Sequence, residues 1–288
     1  MEGSAAPAQG LVPREWVLLA LLAAAFAPAL LSLAGVWRAV DYQSHGFLVP
    51  AVSLWVALRE RYAWRRLATR PDPRGLALLA ASLLAYLAGI GVGSVPLQGL
   101  ALVAAIAGAV LYARGPAWLR RLAFPIGFLL FMVPVPPTWI APFIVRLQLF
   151  VSDASVRILH AFGVPVVREG NVLVLPGGES LFVAEACSGV TSVITLAPLA
   201  VLLAYLTLRR PAARIALVLA VAPLAMAGNL ARVLATVLAS LRFGAGVATE
   251  GPPHELLGLL TYAVAVALML ALGAALRRAE APGRPAGA

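Results

Sequence analysis

Several stretches of this chain run for close to 20 residues with scarcely a charge in them. That pattern leaves few folds open, because about 20 apolar residues in a helix span the roughly 30 Å hydrocarbon core of a bilayer. Candidate crossings are 16–36, 46–58, 75–93, 96–112, 122–134, 187–208, 212–236 and 255–276. The second and fifth are short. Only 12% of the residues are charged, where a soluble domain carries about 25%, so a soluble globular enzyme is excluded. The first run is too long for a signal-peptide core and lacks a cleavage site, so it reads as a retained helix. The expected fold is an all-α polytopic membrane protein of about eight transmembrane helices, with an amphipathic helix on the outer surface and a small β-hairpin element.

Arginine placement gives the orientation. The net charge is +10 and the chain has no lysine. Arg14, Arg59, Arg61, Arg65, Arg66, Arg70, Arg74, Arg114, Arg120, Arg121, Arg209, Arg210, Arg214, Arg277, Arg278 and Arg284 fall in one set of loops; Arg38, Arg146, Arg157, Arg168, Arg232 and Arg242 fall on the other side. The larger set marks the cytoplasmic face and puts both termini inside. The basic charge is thereby explained by loops at a lipid bilayer, and no nucleic-acid partner is expected. The sorting requires that 138–162 does not cross. Arg146, Asp153, Arg157 and His160 recur there at helical spacing among Ile, Val, Leu and Phe, which suits a helix lying on the outer surface.

Short β-prone runs follow at 164–168, 172–175 and 180–183, separated by Glu169-Gly170-Asn171 and Pro176-Gly177-Gly178-Glu179 as turn signals. The reading is one integral membrane domain over 1–278, an extracytoplasmic β element at 164–184 and a disordered tail at 279–288.

Three polar positions near spanning helices need a reason, because such groups are costly in a bilayer. Cys187, the one cysteine, lies in Glu185-Ala186-Cys187-Ser188-Gly189 at the start of an apolar helix. A helix N-terminus favours a reactive thiolate, although an isolated cysteine is more often a small buried hydrophobe. Arg232 lies one turn after Asn229; it suits an anion, or it snorkels to the interface. His254 opens the last helix beside Glu255, as a proton carrier or a solvated helix-start residue. The topology puts all three at the outer face. A thiolate that attacks a carbonyl, a guanidinium for the oxyanion and an imidazole for the proton make an acyl-transfer set. A single cysteine excludes an intrachain disulfide and a cysteine metal cluster, and neither metal nor cofactor is expected.

Residues 185–189, with Asn229-xx-Arg232 and His254-xxx-Gly258 following in order, resemble the exosortase/archaeosortase family. Asp41-Tyr42-Gln43-Ser44-His45-Gly46-Phe47-Leu48-Val49-Pro50 and Gly163-Val164-Pro165-Val166-Val167-Arg168-Glu169-Gly170-Asn171 are similar too. The resemblance implies a bacterial inner-membrane thiol protease or transpeptidase with its active site on the periplasmic face. Its partners would be membrane-anchored proteins whose C-terminal sorting signal joins a short motif such as Pro-Glu-Pro, a transmembrane helix and a basic cluster. Such systems are linked to exopolysaccharide production. Cys187 would be the nucleophile, with Arg232 and His254 as partners and Asn229, Glu185 and Ser188 in support. His45 either orients substrate or shapes the turn into Gly46. The rival readings are a transporter or flippase that holds an anion at Arg232 and Asn229, and a non-catalytic scaffold of a polysaccharide export complex.

Overall fold

The computed structural model describes residues 12–61, 67–182, 189–244, 246 and 251–280, with no description of the side chains of 251–254. The chain divides into two compact units, Met1–Pro136 and Pro137–Ala288.

In the first unit, α1 (Pro13–Ala39) starts with Pro13 in its first turn, and the Glu15 carboxylate accepts the Val12 N–H at 2.9 Å. Phe26, Ala29, Leu33 and Trp37 recur every three or four residues and form its buried stripe, while Leu31 on the other side is 73% exposed. A 3₁₀ turn, Asp41–Phe47, leads straight into α2 (Leu48–Arg59). Helices α3 (Arg74–Gly91) and α4 (Val95–Arg114) form an antiparallel hairpin. A Cβ at Gly89 would lie 3.1 Å from the Gln98 backbone, and one at Gly75 would collide with Tyr112. Glycine at these positions lets the two backbones approach, as small residues do in membrane helix pairs. Short helices α5 (Pro116–Arg121) and α6 (Ala123–Phe128) and a 3₁₀ turn, Leu129–Met132, complete the unit.

Several arginines of this unit gather at one end, away from Arg38. Glu15 of α1 pairs with Arg114 of α4, Glu60 after α2 pairs with Arg121 of α5 at 3.1 Å, and the Arg70 N–H donates to the Arg114 carbonyl. At the other end, side chains before α2 satisfy carbonyls of 131–135. Trp37 Nε1 donates to Met132 at 2.9 Å and Gln43 Nε2 to Val135 at 3.3 Å.

The second unit begins with α7 (Pro137–Ala161). Its buried stripe is Ile140, Ile144, Gln148, Val151, Ser155 and Leu159; Asp153 and Arg157 pair beside that stripe at 2.8 Å. Strands β1 (Val167–Glu169), β2 (Val172–Val174) and β3 (Ser180–Phe182) form an antiparallel meander, with Val167 opposite Val174 and Leu173 opposite Leu181. The three β-prone runs thus pair as the small β element expected. Gly170, at φ +65°, supplies the first turn. His160 Nε2 meets the Val166 carbonyl at 2.7 Å and ties α7 to the strand start.

Four helices follow: α8 (Val190–Thr207), α9 (Pro211–Leu219), α10 (Val221–Phe243) and α11 (Gly251–Glu280). Helix α10 belongs to two cores. Val233 and Val237 join Val151 and Leu159 of α7 and Leu173 and Leu181 of the sheet. Val221 and Ala225 join Leu196 and Ala200 of α8, Leu217 of α9, and Ala265 and Met269 of α11. Where α8 passes into α9, the Arg209 and Arg210 N–H groups each donate to the Glu280 carboxylate at the end of α11 at 2.8 Å.

Among the described residues, seven helical segments are long and apolar enough to cross a membrane: Pro13–Ala39, Arg74–Gly91, Val95–Arg114, Pro137–Ala161, Val190–Thr207, Pro211–Phe243 and Glu255–Glu280. With the small sheet they make an all-α polytopic membrane fold. The longer expected crossings are all among them. The expected crossings 46–58 and 122–134 are not: α2 has 12 residues, about 18 Å of helix. Pro137–Ala161, expected on the surface, qualifies by length and composition, although it is the least apolar of the seven.

Candidate functional site

The second unit gathers the flanks of the three sequence motifs on α10. Gly189 is the N-cap of α8 and takes φ +82°, a left-handed conformation that glycine adopts without strain. It rests on α10: a Cβ there would lie 3.6 Å from Asn229 Cβ and 3.7 Å from Met226 Cα. Cys187 stands two residues earlier in sequence; it, Glu185 and Ser188 lie outside the described residues.

Asn229 is buried, at 5% exposure, and Arg232 is half-buried one turn further along the same helix. The guanidinium of Arg232 reaches α11. A Cβ placed on Gly258 would lie 3.0 Å from both Cζ and Nη2 and 3.3 Å from Nη1. Three near-equal distances mean that the guanidinium lies broadside over the bare Cα of Gly258. A Cβ placed on Gly228, one turn before Arg232, would lie 3.5 Å from the Thr261 carbonyl oxygen of α11. Gly258 therefore leaves room for the Arg232 side chain between α10 and α11, whereas a Cβ on Gly228 would find ordinary contact. His254 falls in the first turn of α11, one turn before Gly258, and its side chain is not described.

The arrangement has chemical content. Arg232 carries five N–H donors in a planar fork, and its position is set by packing on a glycine. Asn229 adds an amide on the same helix, one turn away. A fixed cation with an adjacent amide suits a developing oxyanion or a carboxylate.

His45 belongs to the first unit. Its Nδ1 meets the Tyr42 carbonyl and its Nε2 the Phe131 carbonyl, each at 3.1 Å. Both ring nitrogens thus face backbone oxygens, and the side chain ties the 3₁₀ turn to the segment after α6. A Cβ on Gly46 would collide with the Trp37 ring, so the turn also requires its glycine.

Sequence reasoning missed the packing role of Gly258. The available signal was its position inside a helix, where glycine costs about 1 kcal/mol against alanine and asks for a packing reason.

A family model described as transmembrane exosortase (Exosortase_EpsH) matches residues 37–271. That range takes in His45, Cys187, Asn229, Arg232, His254 and Gly258. No curated protein and no solved structure matches the chain.

Proposed function

The chain belongs to the transmembrane exosortase family, and from that membership we propose that it is a membrane-embedded cysteine transpeptidase with Cys187 as nucleophile. It acts in the bacterial inner membrane with its active site on the periplasmic face. Its substrates are membrane-anchored proteins with a C-terminal sorting signal of short motif, transmembrane helix and basic cluster, in a system serving exopolysaccharide production. The observation that supports the site is the meeting on α10: Gly189, two residues after Cys187, packs on Asn229, and Gly258, one turn after His254, packs on Arg232.

In the reaction the Cys187 thiolate attacks the scissile carbonyl carbon and the carbonyl electrons move onto oxygen. Arg232, with Asn229 one turn away, stabilises that oxyanion. The intermediate collapses with cleavage of the C–N bond, and protonated His254 gives its proton to the leaving amine. The substrate's C-terminal helix departs and a thioester to Cys187 remains. An amine, hydroxyl or water acceptor then loses a proton to His254, attacks the thioester and frees the thiolate. Glu185 and Ser188 support Cys187.

The test is processing of a cognate substrate in cells, read as a gel shift, with trapping of the thioester. Cys187→Ala should abolish both. Near-normal processing by that variant would sink the transpeptidase and leave the transporter or scaffold reading.

A further inference from the structure

A cavity of about 310 Å³ opens in the first unit, lined by Arg14, Glu15, Val17, Leu18 and Leu21 of α1, Pro71, and Tyr112 and Ala113 of α4. It lies at the arginine-rich end of that unit and has no part in the reaction above. We propose that it is a binding site for one anionic phospholipid, with the phosphate at Arg14 and an acyl chain along Val17, Leu18 and Leu21.

The charges at the cavity are unequal in their availability. Glu15 is 5% exposed, pairs with the Arg114 guanidinium and accepts the Val12 N–H. Arg114 in turn stacks on the Trp118 ring, 4.7 Å from its centroid. This pair is internally neutralised and closes the cavity on the protein side. Asp72, next to Pro71, uses Oδ1 on the Arg74 backbone N–H. Arg14 is exposed, and among the described residues no salt bridge engages it. Arg70 and Arg74, also exposed, flank Pro71 in sequence. The local field at the mouth is positive.

The cavity's polarity runs in one direction. Arg14, Leu18 and Leu21 follow at spacings of four and three on one face of α1, so the wall passes from cation to hydrocarbon over about 10 Å. Trp16, 60% exposed beside Arg14, belongs at the headgroup level of a bilayer. A phospholipid has this order of parts: an anionic phosphate, then methylenes. Free phosphate would leave the apolar wall unused. A basic peptide would meet Arg14 with like charge, and a zwitterionic lipid would bring its own cation to the same place. Basic recesses between helices at the cytoplasmic side hold anionic headgroups in this way.

Native mass spectrometry of the full chain, released from detergent with phosphatidylglycerol or phosphatidylcholine of equal chain length, tests the site. The wild-type protein should retain one phosphatidylglycerol at a collision energy that strips phosphatidylcholine. Arg14→Gln should weaken that retention about fivefold, the effect of one arginine at an anionic surface. Leu18→Trp, which fills the cavity, should abolish it, and Arg59→Gln, outside the lining, should keep it. Equal retention of the two lipids, or an undiminished adduct in both cavity variants, would overturn the proposal in favour of annular lipid. Displacement by millimolar inorganic phosphate would overturn it in favour of a bare anion site.

Discussion

The guanidinium of Arg232 lies across the bare Cα of Gly258, so close that a Cβ there would stand 3.0 Å from Cζ. Two helices are coupled by this contact, and its two sides have different stiffness. The glycine is helix backbone, whereas the guanidinium is the far end of a flexible side chain. An added methyl group moves the arginine and not the helix.

Gly258→Ala should therefore separate activity from stability. The guanidinium must shift by a few tenths of an ångström or more, and under the proposed mechanism this displaces the oxyanion donor, whose complete removal costs on the order of 100-fold in rate. Alanine gains about 1 kcal/mol of helix propensity, which offsets the local crowding. Processing of the cognate substrate should fall at least tenfold while thermal stability in detergent stays level or rises. Full activity in Gly258→Ala would show that the arginine's placement is not critical.

Gly189→Ala acts through the backbone. Its Cβ would find ordinary contact, 3.6 Å from Asn229, but φ +82° costs a residue with a side chain about 1–2 kcal/mol. The chain around residue 189 should relax and carry Cys187 with it. The expectation is a drop in both melting temperature and thioester yield. An unchanged melting temperature would mean that the left-handed turn is not needed.

The sequence was most informative where its physics is local. The long apolar runs announce crossing helices because burial in lipid demands length and hydrophobicity together. The turns at Gly170 and Gly177-Gly178 were legible because glycine marks positive φ. The count of crossings was less legible. Residues 46–58 look apolar enough to span, yet the helix starts only at Leu48 and runs 12 residues, because Asp41–Phe47 winds as a 3₁₀ turn tied down by His45 and Gln43. In α7 charged and apolar residues share one helix, so periodicity alone could not separate lying on a membrane from crossing it. The order of the three motifs was visible in one dimension. That Gly189 and Gly258 both pack on α10 was not, because such contacts join residues about 40 and 26 positions apart.

His45 ties two backbone segments through Tyr42 and Phe131. A neutral imidazole has one N–H, so one of the two carbonyls accepts from it, and such a hydrogen bond contributes about 1 kcal/mol. His45→Phe should lower thermal stability by about 1 kcal/mol, with processing falling only as far as the folded protein does. Loss of turnover per folded molecule, at unchanged stability, would instead give His45 a part in substrate handling.

The Glu15–Arg114 pair is buried on both sides, at 6% and 9% side-chain exposure. Removing one partner leaves a buried charge without its counter-ion, and such losses run to about 3–5 kcal/mol. Glu15→Leu alone should therefore destabilise the protein severely. The double variant Glu15→Leu/Arg114→Met should recover most of the loss, since apolar replacements of a buried pair are often neutral. Thermal unfolding followed by size-exclusion fluorescence gives both values. A double variant as unstable as the single would show that Arg114 matters through Trp118, over whose ring it sits at 4.7 Å.

Membrane sidedness turns on α7. If the short segments 46–58 and 122–134 carry the chain across as their apolar runs predict and Pro137–Ala161 lies on the outer surface, Ser180 is extracytoplasmic, Ala68 is cytoplasmic, and the Arg209–Arg214 loop joins the other arginine-rich loops inside. If it crosses, Ser180 moves to the cytoplasm and those three arginines move out, against the charge rule. Single cysteines placed by Ser180→Cys and Ala68→Cys in a Cys187→Ala background separate the cases, since the chain then holds one thiol at a time. An impermeant maleimide applied to spheroplasts should label position 180 and not 68, and both should react after the membrane is opened. Protection of both positions in intact spheroplasts would show that α7 crosses, and would take the proposed active site away from the periplasmic face. Labelling of 68 alone would invert the whole orientation and remove the arginine argument with it.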